Sequence, residues 1–470
     1  MSSELATVIY GLGILVLFFL NRNQDSRTRK ALWLPVIWLL IIGSRPVSEW
    51  LNIAPTTNSP DQYLDGSPLD RAVFAALLAI GLVVLFARGR RVIALLGSNW
   101  PILLFFAYCA LSTTWSDYPD VAFKRWVKAM GDVVMVLIVV TDADPGAAIR
   151  KLLSRVGLVL LPVSVLLIKY FPVMGRAYTP EFGYWQQMYI GVTASKNSLG
   201  ELALIFGLAA TWELTELFQD KSALNRGRRL CVQGTIIAMV LWVFWTADSI
   251  TSLSCFVLGA ALLLVTASES FRSQTLIHIV ILAMVSAATL VILVAPNLLS
   301  ILGRDPTLTG RTQIWSTVLD VPVNRWTGTG FESFWLGDRM QRIWNLWWWH
   351  PNEAHNGYIE VLLNLGWVGI SLLALLVIAG YKKILTGLRD TSLARLELAY
   401  LLVAIVYSFT EAGFRMLSLT WVFLLLAIVS AGIPVAEFQA DPTSPYEMDG
   451  ARASAALGSR TWSDPEPESF

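Results

Sequence analysis

Apolar residues along this chain fall into runs of about 15–22, separated by shorter polar stretches, and a helix of that length crosses a hydrocarbon core. The runs do not alternate with a period of two, so transmembrane strands are not indicated. The runs predict helices near 5–20, 31–43, 72–87, 99–113, 127–141, 152–170, 197–215, 230–247, 250–267, 275–295, 357–381, 396–410 and 414–433. The second is short, and 230–247 with 250–267 reads either as two helices or as one broken helix. The run from Leu5 to Leu20 lacks a basic flank and a small-residue cleavage site before Asn21-Arg22, which predicts a first membrane helix and not a signal peptide. Residues 434–470, rich in Asp, Pro, Ser, Glu and Ala, predict a disordered cytoplasmic tail. The expectation is an all-α polytopic membrane domain over 1–433, with about 12–13 transmembrane helices and a large polar loop over 296–356.

Composition agrees: 55% of residues are hydrophobic and 15% charged, against roughly a quarter charged in soluble domains. A net charge of +1 indicates no nucleic-acid partner. The three cysteines, Cys109, Cys231 and Cys255, all lie in apolar runs and form neither a disulfide framework nor a zinc site. Charge sets the orientation. Alternate connections carry Arg22, Arg27, Arg29 and Lys30; Arg88, Arg90 and Arg91; Arg150, Lys151 and Arg155; Lys221, Arg226, Arg228 and Arg229; Arg272; and Lys382, Lys383, Arg389 and Arg395. Those connections are expected in the cytoplasm, with the N-terminus outside and the C-terminus inside.

On that topology the remaining polar stretches share the non-cytoplasmic face. They hold more cations than the usual bias allows. Arg125, Arg176, Lys196, Arg311 and Arg415 form a set that suits a phosphate or diphosphate, since guanidinium offers paired N–H donors and Lys a compact charge. The bland alternative is snorkelling to lipid headgroups, strongest for Lys169 and Arg125 at predicted helix ends. Of three histidines, His278 lies in an apolar run and His350 in a loop, while His355 stands just before a helix. The helix dipole there favours the neutral imidazole, which can accept a proton. Asn356 is placed to cap that helix. The tryptophans Trp344, Trp347, Trp348 and Trp349 read either as an interfacial belt or as a platform for sugar rings. Asp142-Ala143-Asp144 falls on the cytoplasmic side, Gly328-Thr329-Gly330 lacks a strand–helix setting, and no His/carboxylate set has metal-ligand spacing. No metal or cofactor is expected.

The densest group of motifs lies between Gly310 and Gly369. Gly310-Arg311-x-x-Ile314-Trp315, Gly328-x-Gly330-x-x-Ser333-Phe334, His355-Asn356-x-Tyr358 and Gly366-x-x-Gly369, in that order, resemble the O-antigen ligase/polymerase superfamily of bacterial membrane glycosyltransferases. Leu111-Ser112-x-x-Trp115-Ser116-x-x-Pro119 and Gly191-Val192-x-x-Ser195-Lys196-Asn197-x-Leu199-Gly200 are similar to its exopolysaccharide-polymerase branch.

The resemblance implies a GT-C-like architecture in the bacterial inner membrane with a site facing the periplasm. The donor would be an oligosaccharide on undecaprenyl diphosphate and the acceptor a sugar hydroxyl, with no metal. Arg311 would hold the diphosphate, helped by Lys196, Arg176, Arg125 and Arg415. His355 would orient or deprotonate the acceptor. Asn356, Tyr358, Trp315, Trp348 and Glu332 would line the sugar site. Ligases of this family often carry an Arg after a Ser in a middle helix. Here the stretch reads Ala247-Asp248-Ser249-Ile250-Thr251-Ser252, without Arg, which favours a polymerase over a ligase. A transporter of lipid-linked sugars is the third reading. It predicts intramembrane charges and repeat halves, and the sequence shows no repeat. A separate chain-length regulator is a partner open to a polymerase.

Overall fold

The computed structural model describes residues 1–22, 28–53, 64, 66–181, 184–268, 275–286, 311–347, 349–388 and 391–432. Residues 296–310 of the polar loop, Trp348 and the 434–470 tail lie outside the described residues.

The described chain is almost wholly helical. In order the main helices are α1 (Ser3–Leu20), α2 (Trp33–Ile42), α3 (Pro68–Phe86), α4 (Gly89–Ser98), α5 (Trp100–Ser112), α6 (Pro119–Val140), α7 (Pro145–Tyr170) and α8 (Lys196–Gln219). They continue as α9 (Arg226–Ala247), α10 (Ile250–Ala267), α11 (Thr275–Ser286), α12 (Arg311–Leu319), α13 (Gly337–Leu346), α14 (Gly357–Gly387), α15 (Leu393–Tyr407) and α16 (Leu419–Ser430). Local chemistry sets several starts. Proline opens α3, α6 and α7, where its missing N–H has no helical partner to lose. Side-chain oxygens of Ser67, Asp144 and Ser195 accept from Asp70 N at 3.3 Å, Ala147 N at 2.9 Å and Ser198 N at 3.1 Å.

Among the described residues, six helices are long and apolar enough to cross a membrane alone, and α4 with α5 make a seventh, bent by 89°. The sequence pattern predicts more. The difference has three causes: residues 287–295 of the helix expected over 275–295 lie outside the described residues, α2, α15 and α16 are short, and α6 and α8 carry Lys124, Arg125, Lys128 and Asp132, or Glu201, Glu213 and Glu216. One strand pair was not foreseen: Arg176–Glu181 and Tyr184–Tyr189 form an antiparallel hairpin.

The centre of the bundle is α7, α8, the second half of α6, α15 and α16, which bury most of their side chains, while α1 buries only Ala6. Gly131 lets Trp38 lie against α6, since a Cβ there would stand 2.1 Å from the ring. Basic residues from the alternate connections meet at one end of the bundle. Arg88 donates to Ile138 O at 2.8 Å, Lys383 to Asn99 Oδ1 at 2.8 Å, and Arg395 to Gln219 Oε1 at 3.1 Å.

Near its start α14 is broken. Gly366 has φ 65°, and a Cβ on it would lie 2.2 Å from the Trp326 carbonyl. The break leaves helical carbonyls and N–H groups without intrahelical partners, and the loop around Trp326–Gly330 takes them. Thr329 N and Gly330 N donate to Leu363 O at 3.0 Å and Asn364 O at 2.8 Å. In return Trp367 N and Val368 N donate to Arg325 O at 2.9 Å and Trp326 O at 3.1 Å. The Gly-Thr-Gly and Leu-Gly motifs are therefore two halves of one backbone joint. Gly366→Ala is expected to lower the melting temperature of the detergent-extracted protein, at a cost above about 1 kcal/mol. An unchanged melt would show that the joint does not need glycine.

Candidate functional site

The end opposite the basic residues is organised by two connections. The first is the turn between α15 and α16. Asp132 Oδ2 accepts from Leu417 N at 3.0 Å, and Glu201 Oε1 accepts from Ser418 Oγ at 2.6 Å and Thr420 N at 2.8 Å. These contacts to α6 and α8 hold the turn that carries Glu411 and Arg415. The second is the loop leading into α14. Glu360 accepts from Ala354 N at 2.5 Å and from Trp335 Nε1 at 2.9 Å, while Trp315 Nε1 donates to Ala354 O at 2.8 Å. Asn356 caps the helix: Oδ1 accepts from Tyr358 N at 3.0 Å and Ile359 N at 3.1 Å. His355, with φ 49°, lies between these two connections.

Together they form a chain of alternating charges. Arg311 reaches Glu411 at 2.5 Å, Glu411 reaches His355 Nδ1 at 3.4 Å, and His355 Nδ1 reaches Glu353 at 2.9 Å. Glu353 reaches Arg415 at 3.3 Å, and Arg415 reaches Glu332 at 3.4 Å. Arg125 joins from α6 by donating to the backbone carbonyl of Glu332. Asn197, on the first turn of α8, donates to Glu411 Oε2 at 3.3 Å.

This arrangement fixes the protonation of its members. Burial opposes charge on His355, but the carboxylates of Glu353 and Glu411 outweigh it and hold the imidazole pKa at about 10. Burial likewise opposes charge on Glu353, yet His355 and Arg415 hold it at about 2. Burial disfavours the Arg415 charge, and Glu332, Glu353 and Glu360 more than restore it, leaving the pKa above the ordinary arginine value. The neutral imidazole expected from the helix dipole is thus corrected: the dipole acts, but two carboxylates within 3.4 Å prevail.

Of the residues singled out in the sequence, Arg311, Arg415, Arg125, Glu332 and His355 come together. Lys196 is half-buried at the start of α8, one residue before Asn197. Arg176 stands apart, its Nε and Nη2 donating to Ile168 O at 3.1 and 3.0 Å and its guanidinium over Tyr189. The hairpin turns it there, so it is no member of the charge chain. Three residues expected at the sugar site also make structural contacts. Asn356 is a cap whose Nδ2 donates to Phe409 O at 2.9 Å, Tyr358 OH donates to Ile405 O at 3.0 Å, and Trp315 supports the Ala354 turn. Trp348 lies outside the described residues. Trp349, half of a T-shaped pair with Trp347, stacks beside His355 at 6.3 Å between ring centroids.

Two members were missing from the sequence set. Glu411 and Glu353 gave a faint signal, Glu411 four residues before Arg415 and Glu353 two before His355. Glu353, His355 and Glu411 bring one ligand atom each within 4.8 Å of one another, a spacing open to a metal ion. Arg311 and Arg415 hold the outer oxygens, Glu411 Oε1 and Glu353 Oε2, while the two inner oxygens face His355 Nδ1. A pocket of about 30 Å³ beside Glu332 and Arg415 has room for about one water.

Residues 226–374, from α9 through the break in α14, match the family model described as O-antigen ligase. Over that stretch the chain is similar to the O-antigen ligase family. The matched stretch contains Arg311, Glu332, Glu353 and His355. Glu411, Arg415 and Asn197 reach it from α8 and the α15–α16 turn, outside the matched residues. The chain is also similar to the exopolysaccharide production protein ExoQ of Rhizobium meliloti (strain 1021), 25% identical over 321 residues, which covers 64% of this chain and 69% of the relative. The two similarities point the same way, toward O-antigen ligases and exopolysaccharide production proteins, and the apolar helices make this a multi-pass membrane protein.

Proposed function

We propose that this protein is a polysaccharide polymerase of the bacterial inner membrane. It transfers glycan from undecaprenyl diphosphate onto a sugar hydroxyl of a lipid-linked repeat at the periplasmic face. The observation that carries this is the alternating charge chain from Arg311 to Glu332. Its cations are preassembled, and the carboxylates beside them hold their places until an anion arrives. A diphosphate competes with Glu411 and Glu353 for Arg311 and Arg415, and guanidinium pairs well with phosphate oxygens. In the reaction the acceptor oxygen bonds to the anomeric carbon while the carbon–oxygen bond to diphosphate breaks. The diphosphate leaves with the electron pair, and inversion follows from direct displacement.

The hydroxyl proton needs an acceptor, and a charged His355 is not one. Glu411, released from Arg311 by the diphosphate, takes it. His355 keeps the orienting part of its role, and the ring of Trp349 beside it offers a face to the sugar. Fixed cations supply the charge stabilisation that a metal supplies in other transferases. The basic end of the bundle faces the cytoplasm on this reading, which puts the charge chain outside.

The exopolysaccharide role printed for ExoQ and the missing Arg near Ser249 support polymerase over ligase. The transporter reading is disfavoured by how the buried carboxylates are used: Asp132 holds Trp38 and Leu417, Glu201 holds Ser418 and Thr420, and Glu397 holds Ser430. The test is the lipid-linked glycan profile of a strain lacking this protein with the rest of the pathway intact. Single repeats on the carrier, exposed outside and unpolymerised, are expected. Long polymer stranded on the carrier would make it a ligase, and repeats trapped inside would make it a transporter.

A further inference from the structure

A second site lies at the basic end, well away from the charge chain. Between α1, α7, α8 and α9 is a cavity of about 350 Å³, within the size range of small-ligand pockets. Its rim carries Arg22, Arg150, Lys151, Arg155 and Arg229, against one lining carboxylate, Glu213. Glu213 is engaged twice, at 2.7 Å to Arg150 and 2.5 Å to Arg229. Lys151 donates to Thr28 Oγ1 at 2.8 Å, and Arg155 lies over the Trp33 ring at 4.4 Å. Arg150 lies over Trp212 at 4.2 Å. The rim is thus stiff and strongly positive. Deeper in, the lining changes to Phe18, Phe206, Ala209, Ala210 and Ile236. One wall is α1, whose Leu12, Leu15 and Phe19 are exposed, so the apolar floor runs on toward the bilayer. Asn197 and Glu213 are on one helix, 16 residues apart, which puts the two sites about 24 Å from each other along α8.

We propose that this cavity binds a glycerophospholipid with an anionic phosphodiester headgroup. The headgroup meets the cationic rim and the acyl chains follow the apolar floor past α1. A positive rim alone fits any phosphate, and the apolar floor selects the lipid. Basic pockets between membrane helices hold anionic headgroups by this combination. The assignment does not depend on the glycosyl-transfer chemistry at the other end.

The experiment is native mass spectrometry of the full chain released from nanodiscs of equal parts phosphatidylglycerol and phosphatidylcholine. The wild type should retain one phosphatidylglycerol in preference to phosphatidylcholine. The Arg22→Gln, Lys151→Gln, Arg155→Gln triple variant should weaken that preference by about tenfold or more. Ala209→Leu, which fills the floor and keeps every cation, should weaken it as well. Arg90→Gln, Arg228→Gln, Lys382→Gln removes the same charge from exposed positions at the same end and should leave it intact. Equal retention of both lipids by the wild type would overturn the site. So would equal loss in the exposed-charge variant, or full retention by Ala209→Leu. Displacement of the lipid by millimolar inorganic phosphate would show that the acyl chains contribute nothing, and would overturn the lipid assignment.

Discussion

Arg311→Ala is expected to abolish polymer while the protein stays at its normal level in the membrane. Two effects add. The diphosphate loses a paired donor where charge builds up on the leaving group, worth about 10²–10³ in rate for one such contact in a shielded site. Glu411 also loses its 2.5 Å cation partner and keeps only Asn197 and His355, which leaves more uncompensated negative charge in the path of an anion. Arg311→Lys keeps the charge but not the fork and should fall between wild type and Ala. Glu411→Gln should bind donor and fail to turn it over, since the carboxylate proposed to take the proton is missing. Conversion of lipid-linked repeats by purified protein, with immunoblots for level, checks all three. A chelator should leave the wild-type rate unchanged. Polymer made at the wild-type rate by Arg311→Ala would remove this residue from the mechanism, and the diphosphate site with it.

The second large effect concerns His355 and pH. A neutral base with an ordinary pKa would make activity rise through about pH 6.5. The structure holds His355 at about 10, so its charge state should not change between pH 6 and 8.5, and it should leave no inflection there. The same shifts set a stability window. The raised His355 pKa contributes fully below its unfolded value near 6.5, and the contribution is lost as pH rises through about 10. The depressed Glu353 pKa of about 2 contributes fully above its unfolded value near 4.5, and the contribution is lost as pH falls through about 2. Both are complete together between roughly pH 4.5 and 6.5. Glu353→Gln removes the 2.9 Å partner and should pull the imidazole pKa down, bringing pH dependence toward neutrality. His355→Ala removes an orienting group and should cost about 10²-fold in rate. A wild-type inflection near pH 6.5 that vanishes in His355→Ala would restore the neutral base.

The helices were legible because a bilayer demands long apolar runs, and 250–267 and the start of α14 at Gly357 match the structure to the residue. Where polar residues interrupt the apolar signal, the pattern failed. The helix expected from 127 begins at Pro119, because Lys124 and Arg125 interrupt the apolar run over its first two turns, Arg125 reaching the Glu332 carbonyl. The hairpin at Arg176–Tyr189 and the bend between α4 and α5 were missed for the same reason. Within the site, the cations were legible as charges that have no business at a membrane mouth. Their carboxylate partners were not. Acidic residues in loops are common, and only the fold shows that Glu411 lies 100 residues from Arg311 in sequence and 2.5 Å away in space. The histidine was found but its charge was misjudged, because a helix end is visible in sequence and a facing carboxylate is not.

The joint between the Trp326–Gly330 loop and the break in α14 also dictates an order of assembly. The chain is synthesised from its N-terminus, so when Arg325 to Gly330 emerge, their partners Leu363 to Val368 do not yet exist. Glu332 and Arg311 must wait further, for Arg415 and Glu411. The joint can therefore close only once α14 has been made, and the charge chain only once the α15–α16 turn has followed. A ribosome stalled anywhere before α15 leaves Arg311 without Glu411 and Glu332 without Arg415, so a half-made protein has no assembled charge chain.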